Sequence, residues 1–221
     1  MIVARAVTRD YRDGDTVVHA LRGVDMEIND GEFLAIAGPS GSGKSTLLNI
    51  LGCIDRATSG SVRYGDIAVE ELGNGDRARL RRENLGFVFQ SFNLIPVLTA
   101  AENVELALSL DGTRVNGTGA RVSEILAEVG LEGLEHRRPA QLSGGQQQRV
   151  AIARALVKKP MVVFADEPTA NLDSKTGEAI LALMRQIHER HGTSFVFSTH
   201  DRMVMDFAGR LVRLHDGRIE S

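Results

Sequence analysis

Nine residues constrain this chain more than any others: Gly38-Pro39-Ser40-Gly41-Ser42-Gly43-Lys44-Ser45-Thr46. They satisfy G-x-x-x-x-G-K-[ST], and their surroundings restrict what they can fold into. Before them runs Glu32-Phe33-Leu34-Ala35-Ile36-Ala37, short and almost wholly apolar, as a buried strand requires. After them Leu47, Leu48, Ile50 and Leu51 open a helix. A strand, a glycine-rich loop and a helix in that order make a phosphate cradle. The glycines let backbone N–H groups turn inward without a side-chain clash, and the positive end of the helix faces the anion. Lys44 is placed to reach the outer phosphates, and the Ser45 hydroxyl to ligate Mg²⁺.

A second apolar run, Met161-Val162-Val163-Phe164-Ala165, ends in Asp166-Glu167. Continuous rather than alternating hydrophobicity predicts a strand covered on both faces, as in a parallel sheet. Sites in such sheets form at the carboxyl ends of strands. Alone, two acids at a strand end read equally well as a solvated pair. With a phosphate cradle in the same chain, Asp166 becomes the metal carboxylate and Glu167 the residue that orients or deprotonates water.

Composition bounds the class. The chain has 221 residues, 43% hydrophobic and 25% charged, a globular profile of one domain or a core with a subdomain. A net charge of −3 gives no global basic signature for nucleic acid. Cys53 is the only cysteine, so no intramolecular disulfide can form, and its apolar setting predicts a core thiol. The first residues lack the build of a signal peptide. No apolar run approaches the ~20 residues of a membrane helix, so a membrane link must pass through a partner.

Along the chain, residues 2–37 read as short strands separated by turns, with Val24–Ile28 alternating and Asn29-Asp30-Gly31 turning before the central strand. Further strands are expected at Gly60–Asp66, bounded by turns, and at Leu85–Phe89. The pattern then becomes helical. Thr99-Ala100-Ala101-Glu102 is a capping box for a helix running to about Leu110. Asp111–Gly119 reads as a loop. Val122, Ile125, Leu126 and Val129 mark an amphipathic helix that Gly130 can close. Gln146–Lys158 reads as a third helix, stopped before Pro160. The expected architecture is therefore α/β: a phosphate-loop nucleotide-binding core (about 1–94 and 159–221) with a mixed or parallel sheet, an N-terminal antiparallel β subdomain, and an inserted α-helical subdomain at about 95–158. A helix carrying Ile180, Leu183, Met184 and Ile187, a strand at Ser194–Ser198 and a hairpin-like end at Asp216-Gly217 complete it.

Leu142-Ser143-Gly144-Gly145-Gln146 is a second glycine-rich signature. Ser143 is a natural helix cap, and the N–H groups of the following turn can also bind an anion; both readings hold together. Gln90 alone is a surface residue after a strand, and His200 alone is a structural histidine. Their order with the cradle, Asp166-Glu167 and Asn171-Leu172-Asp173 changes that. In this order the motifs resemble the ATPase subunit of ATP-binding cassette (ABC) transporters over essentially the whole chain. Ala165–Asp173, Leu51–Asp55 and Asn93–Pro96 resemble its lipoprotein-releasing and macrolide-efflux branch.

The resemblance implies ATP and Mg²⁺ as ligands, with the metal at Ser45, Gln90 and Asp166, and catalysis by Glu167, His200, Lys44 and Gln90. It implies that Gln90 also senses the helical subdomain, and that Ser143, Gly144, Gly145 and Gln146 hold the γ-phosphate of the opposite subunit. It puts Asp173 at the dimer interface, where the common family form Ser-Ala-Leu-Asp is here Ala170-Asn171-Leu172-Asp173. Tyr11, in a polar turn-like segment, is the candidate to stack on adenine, or else a scattered surface tyrosine. The implied partners are a second copy and an integral membrane permease, with no nucleic acid, and the implied location is the inner face of the cell membrane. Three functions fit the cassette: export or extraction, mechanical signalling of the cell-division type, and soluble scaffold assembly.

Overall fold

The computed structural model describes residues 1–14, 16–109 and 117–220. In chain order these form β1 (Ile2–Asp13), β2 (Thr16–Ile28), β3 (Phe33–Ala37), α1 (Lys44–Leu51), β4 (Ser59–Tyr64), β5 (Ile67–Ala68), α2 (Asn74–Asn84), β6 (Leu85–Val88), α3 (Ala100–Ser109), α4 (Thr118–Glu128), α5 (Gly144–Leu156), β7 (Val162–Asp166), α6 (Ser174–His191), β8 (Ser194–Thr199), α7 (Arg202–Phe207), β9 (Arg210–His215) and β10 (Arg218–Glu220). They fall into two compact units, Met1–Arg81 with Ser194–Ser221, and Arg82–Thr193.

The first unit holds two sheet systems. β2, β1, β4 and β5 form an antiparallel sheet in that order. Its first two strands are one long hairpin of 12 and 13 residues, where the sequence suggested several short strands. Turn-like residues inside them are absorbed as bulges: Ala6 has φ 48° and Gly23 φ 85°, with register shifts in the pairing. The other system is built on β3, every residue of which is buried. It pairs in parallel with β8 from Phe33↔Phe195 to Ala37↔Thr199, and with β9 from Leu34↔Arg210 to Ala37↔Arg213. Both faces of β3 and β8 are covered, which is why β3 and the Phe195–Phe197 centre of β8 read as apolar runs. Phe33, Phe195 and Phe197 cluster with ring centroids 4.7–6.0 Å apart.

The second unit pairs β6 with β7 in parallel, from Leu85↔Val162 to Val88↔Ala165, and packs α5 against β6, α3, α4 and α6. The predicted capping box opens α3: Glu102 accepts from the Thr99 N–H at 2.7 Å and its own N–H donates to Thr99 Oγ1 at 3.2 Å. Leu110 and most of the expected 111–119 loop lie outside the described residues, and α4 already begins at Thr118. Val122, Ile125, Leu126 and Val129 are buried as the periodicity predicts, and Gly130 turns away at φ 75°. The third helix spans Gly144–Leu156, a little upstream of its sequence estimate.

Candidate nucleotide and signature sites

The cradle grows out of the carboxyl end of β3. Because Ala37 pairs with Thr199, Gly38 leaves the sheet at the level where His200 leaves β8, and the Gly38 N–H donates to the Thr199 carbonyl at 3.3 Å. Parallel register alone therefore brings the start of the loop beside the exposed His200. Glycine is required at two positions for different reasons. A Cβ on Gly38 would collide with the Leu214 carbonyl. Gly43 has φ 102°, and its Cβ would sit 2.5 Å from the Ala20 carbonyl oxygen. The loop is held from outside by the C-terminal hairpin: the Gly217 N–H donates to the Ser42 carbonyl at 3.0 Å, and the Arg22 N–H to the Gly217 carbonyl at 2.8 Å. That tie was not legible in the sequence.

The chemistry of the loop fits a polyphosphate. Lys44 is 7% exposed, and its ammonium donates to the Gly38 and Pro39 carbonyls at 2.8 and 2.9 Å. A cation this buried is concentrated charge for an anion to meet. The first turn of α1 carries no acidic side chain to neutralise the positive helix end. Ser42 Oγ is buried without a hydrogen-bond partner. Pro39, Ser40 and Gly41 are exposed, as is Ser45, while Thr46 is half-buried on α1.

Tyr11 lies within β1, not in a turn. Its hydroxyl donates to Asp55 Oδ2 at 2.8 Å, and its cross-strand neighbour is the exposed Val18.

The second unit carries the acids. β6 and β7 end in register, so Gln90, two residues beyond Val88, leaves at the level of Glu167, two beyond Ala165. Asn171 Nδ2 donates to the Gln90 carbonyl at 3.0 Å. Glu167 has φ 47°, a left-handed backbone that a side chain adopts only under surrounding constraint. Such outliers collect where a side chain must be aimed.

Ser143 caps α5 as expected. Gln146 Oε1 accepts from the Ser143 N–H at 2.9 Å, and Ser143 Oγ accepts from the Gln146 N–H at 3.3 Å. A Cβ on Gly144 would touch Leu172 at 3.4 Å, and one on Gly145 would press on Thr176 Cγ2 at 2.6 Å. The signature glycines thus let the start of α5 approach the 171–176 segment. There Asp173 caps α6, accepting from the Thr176 N–H at 3.0 Å and hydroxyl at 2.6 Å. These bonds hold its carboxyl below the usual carboxylate range. Farther along α5, Gln148 donates to the Pro168 carbonyl at 2.6 Å. Arg154 donates to the carbonyls of Phe92 (2.7 Å) and Asn93 (2.5 Å), both at positive φ just after Gln90. Gln148 and Arg154 bind α5 to the segments that follow β7 and β6, and neither stands out in the sequence.

The model of the ABC transporter family matches residues 21–170. The chain belongs to the ABC transporter family. The lipoprotein-releasing system ATP-binding protein LolD of Geobacter metallireducens is 45% identical over 213 residues, covering 96% of this chain and 95% of that one. The macrolide export ATP-binding/permease protein MacB of Syntrophobacter fumaroxidans is 46% identical over 222 residues, all of this chain but 31% of that longer protein. Among solved structures, the ATP-binding cassette MJ0796, a dimer in a post-hydrolysis state with ADP and phosphate, aligns with a TM-score of 0.91 at 46% identity over 100% of this chain and 97% of that one. The α/β architecture is thus that of the ABC ATPase cassette. No helix among the described residues is long and apolar enough to cross a membrane.

Proposed function

We propose that this chain is the ATP-hydrolysing motor of an export or extraction transporter, working as an ATP-bound homodimer beneath a membrane permease. The observation that carries the reading is the parallel register of β3 with β8, which sets the cradle beside His200. Similarity to LolD and MacB supports the export branch. Lys44 and the loop N–H groups bind the phosphates, and Ser143–Gln146 closes over the γ-phosphate of the other subunit. Glu167 holds the attacking water and draws on its proton as the oxygen adds to the γ-phosphorus. Lys44 and His200 stabilise the charge that builds as the bond to ADP breaks, so catalysis is mainly positioning and electrostatics. Ser45, Gln90 and Asp166 are oxygen donors of the kind Mg²⁺ prefers and are the proposed ligands; the ion would neutralise phosphate charge.

Force leaves through the segment after Gln90 and the helical region at about 95–158, which we assign as the signature subdomain of a single ATPase domain. A cleft of about 200 Å³ lies here, lined by Gly86, Phe87, Phe89, Asn93 and Arg154 among others, and Ile95 and Val97 stand exposed beside it in the chain. An accessible surface that mixes aromatic rings with Arg154 and Lys158 suits a cytoplasmic segment of a permease, and through it the chain sits at the inner face of the cell membrane. The test is purification of tagged Glu167→Gln protein from detergent-solubilised cells with ATP present. Co-purification of a membrane protein with few helices and a large external domain is the expected result. Soluble partners alone would move the assignment to a scaffold ATPase.

A further inference from the structure

We infer that Arg9 and Asp55 are positioning residues that fix Tyr11 as a one-sided platform for the nucleobase; this rests on the reading of Tyr11 as the adenine-stacking residue. Arg9 and Tyr11 are two apart on β1 and so share a face of the strand. The Arg9 guanidinium lies over the Tyr11 ring, 4.5 Å from its centroid. Asp55 joins the two from elsewhere in the chain. Its Oδ1 pairs with Arg9 Nη2 at 2.9 Å, and its Oδ2 accepts from the Tyr11 hydroxyl at 2.8 Å. One carboxylate therefore anchors both the ring and the cation stacked on it.

The anchor is itself fixed. The Asp55 N–H donates to the Asn49 carbonyl at 3.1 Å and its carbonyl accepts from Arg77 Nη2 at 2.5 Å. Asn49 belongs to α1, the helix whose first residue is Lys44. The tyrosine is thus tied to the far end of the element that binds the phosphates. Arg9 Nε is buried without a partner, so the guanidinium gives up a hydrogen bond to keep this pose. Tyr11 stays 39% exposed with one face taken by the cation. A base then stacks on the remaining face, with the ring already immobilised. Stacking tolerates any base, so the device raises affinity for nucleoside triphosphates without choosing adenine.

Calorimetric titration of ATP and of inorganic tripolyphosphate into wild type and variants tests this. Tyr11→Ala sets the value of stacking, expected at about tenfold weaker ATP binding. Asp55→Ala, Arg9→Ala and Tyr11→Phe should each weaken ATP about threefold through lost preorganisation. Tripolyphosphate affinity should stay unchanged in all four, and neither Asp55→Ala nor Arg9→Ala should weaken ATP further in a Tyr11→Ala background. Normal ATP binding by Tyr11→Ala would remove the platform reading itself. Weak binding by Tyr11→Ala with wild-type behaviour of Asp55→Ala, Arg9→Ala and Tyr11→Phe would overturn the positioning role alone. Loss of tripolyphosphate affinity in Asp55→Ala, or a persisting effect on the Tyr11→Ala background, would make the cluster a structural support of α1. Tyr11→Phe changes a single surface hydroxyl, so it keeps the test open if a charge variant misfolds.

Discussion

At the scale of single residues, burial distinguishes two side chains that share a strained backbone. Glu167 and Cys53 both have left-handed backbones, φ 47° and 58°. Glu167 is only half-buried, just past the carboxyl end of a sheet strand, where the proposed mechanism calls for an aimed carboxylate. Cys53 is 1% exposed, and burial pushes its thiol up to about 11, although Arg77 and Arg81 pull the other way. A thiol held neutral is a poor nucleophile. At pH 8 the native protein should react with a maleimide far more slowly than the unfolded chain, measured by mass shift with time. Because the folded value is raised, this group favours the native state below its ordinary value near 8.5. That preference is lost as pH rises through about 11. Neither strained backbone was legible in the sequence, since φ at a non-glycine residue follows from tertiary constraint. The Arg9–Tyr11–Asp55 contact was hidden for another reason: Tyr11 and Asp55 are 44 residues apart, and no local pattern links them.

At the scale of elements, local chemistry was legible where it is local. The capping box at Thr99–Glu102, the Ser143 cap of α5 and the buried face of α4 follow from spacing alone. Helix α2 did not announce itself, because it is strongly polar and buries only Arg77 and Leu80. The long β1–β2 hairpin was read as fragments because most of the β2 residues before Val24 face solvent, which leaves no clean alternation. The close approach of α5 to α6 yields a test. Gly145→Ala places a methyl against Thr176 Cγ2, and overpacking of this kind costs about 1–3 kcal/mol. Its Tm should fall by several degrees. Thr176→Ser removes that methyl group but keeps the hydroxyl that binds Asp173, so Gly145→Ala/Thr176→Ser should regain most of the lost Tm in a calorimetric scan. Equal Tm for the single and double variants would show that this contact does not set the spacing.

At the scale of the whole molecule, each unit carries its own set of candidate site residues. One carries the cradle, His200 and Tyr11; the other carries Gln90, Asp166, Glu167 and the signature turn. In the proposed arrangement, the signature turn meets a phosphate held by a second copy. This is the claim on which the motor reading depends, and sequence could supply it only through the order of its motifs. It is tested most directly by light scattering on size-exclusion-purified Glu167→Gln protein with ATP and Mg²⁺, with ADP as control. The account predicts twice the chain mass of 24.0 kDa with ATP and a monomer with ADP. A monomer at saturating ATP, with binding verified by calorimetry, would contradict it.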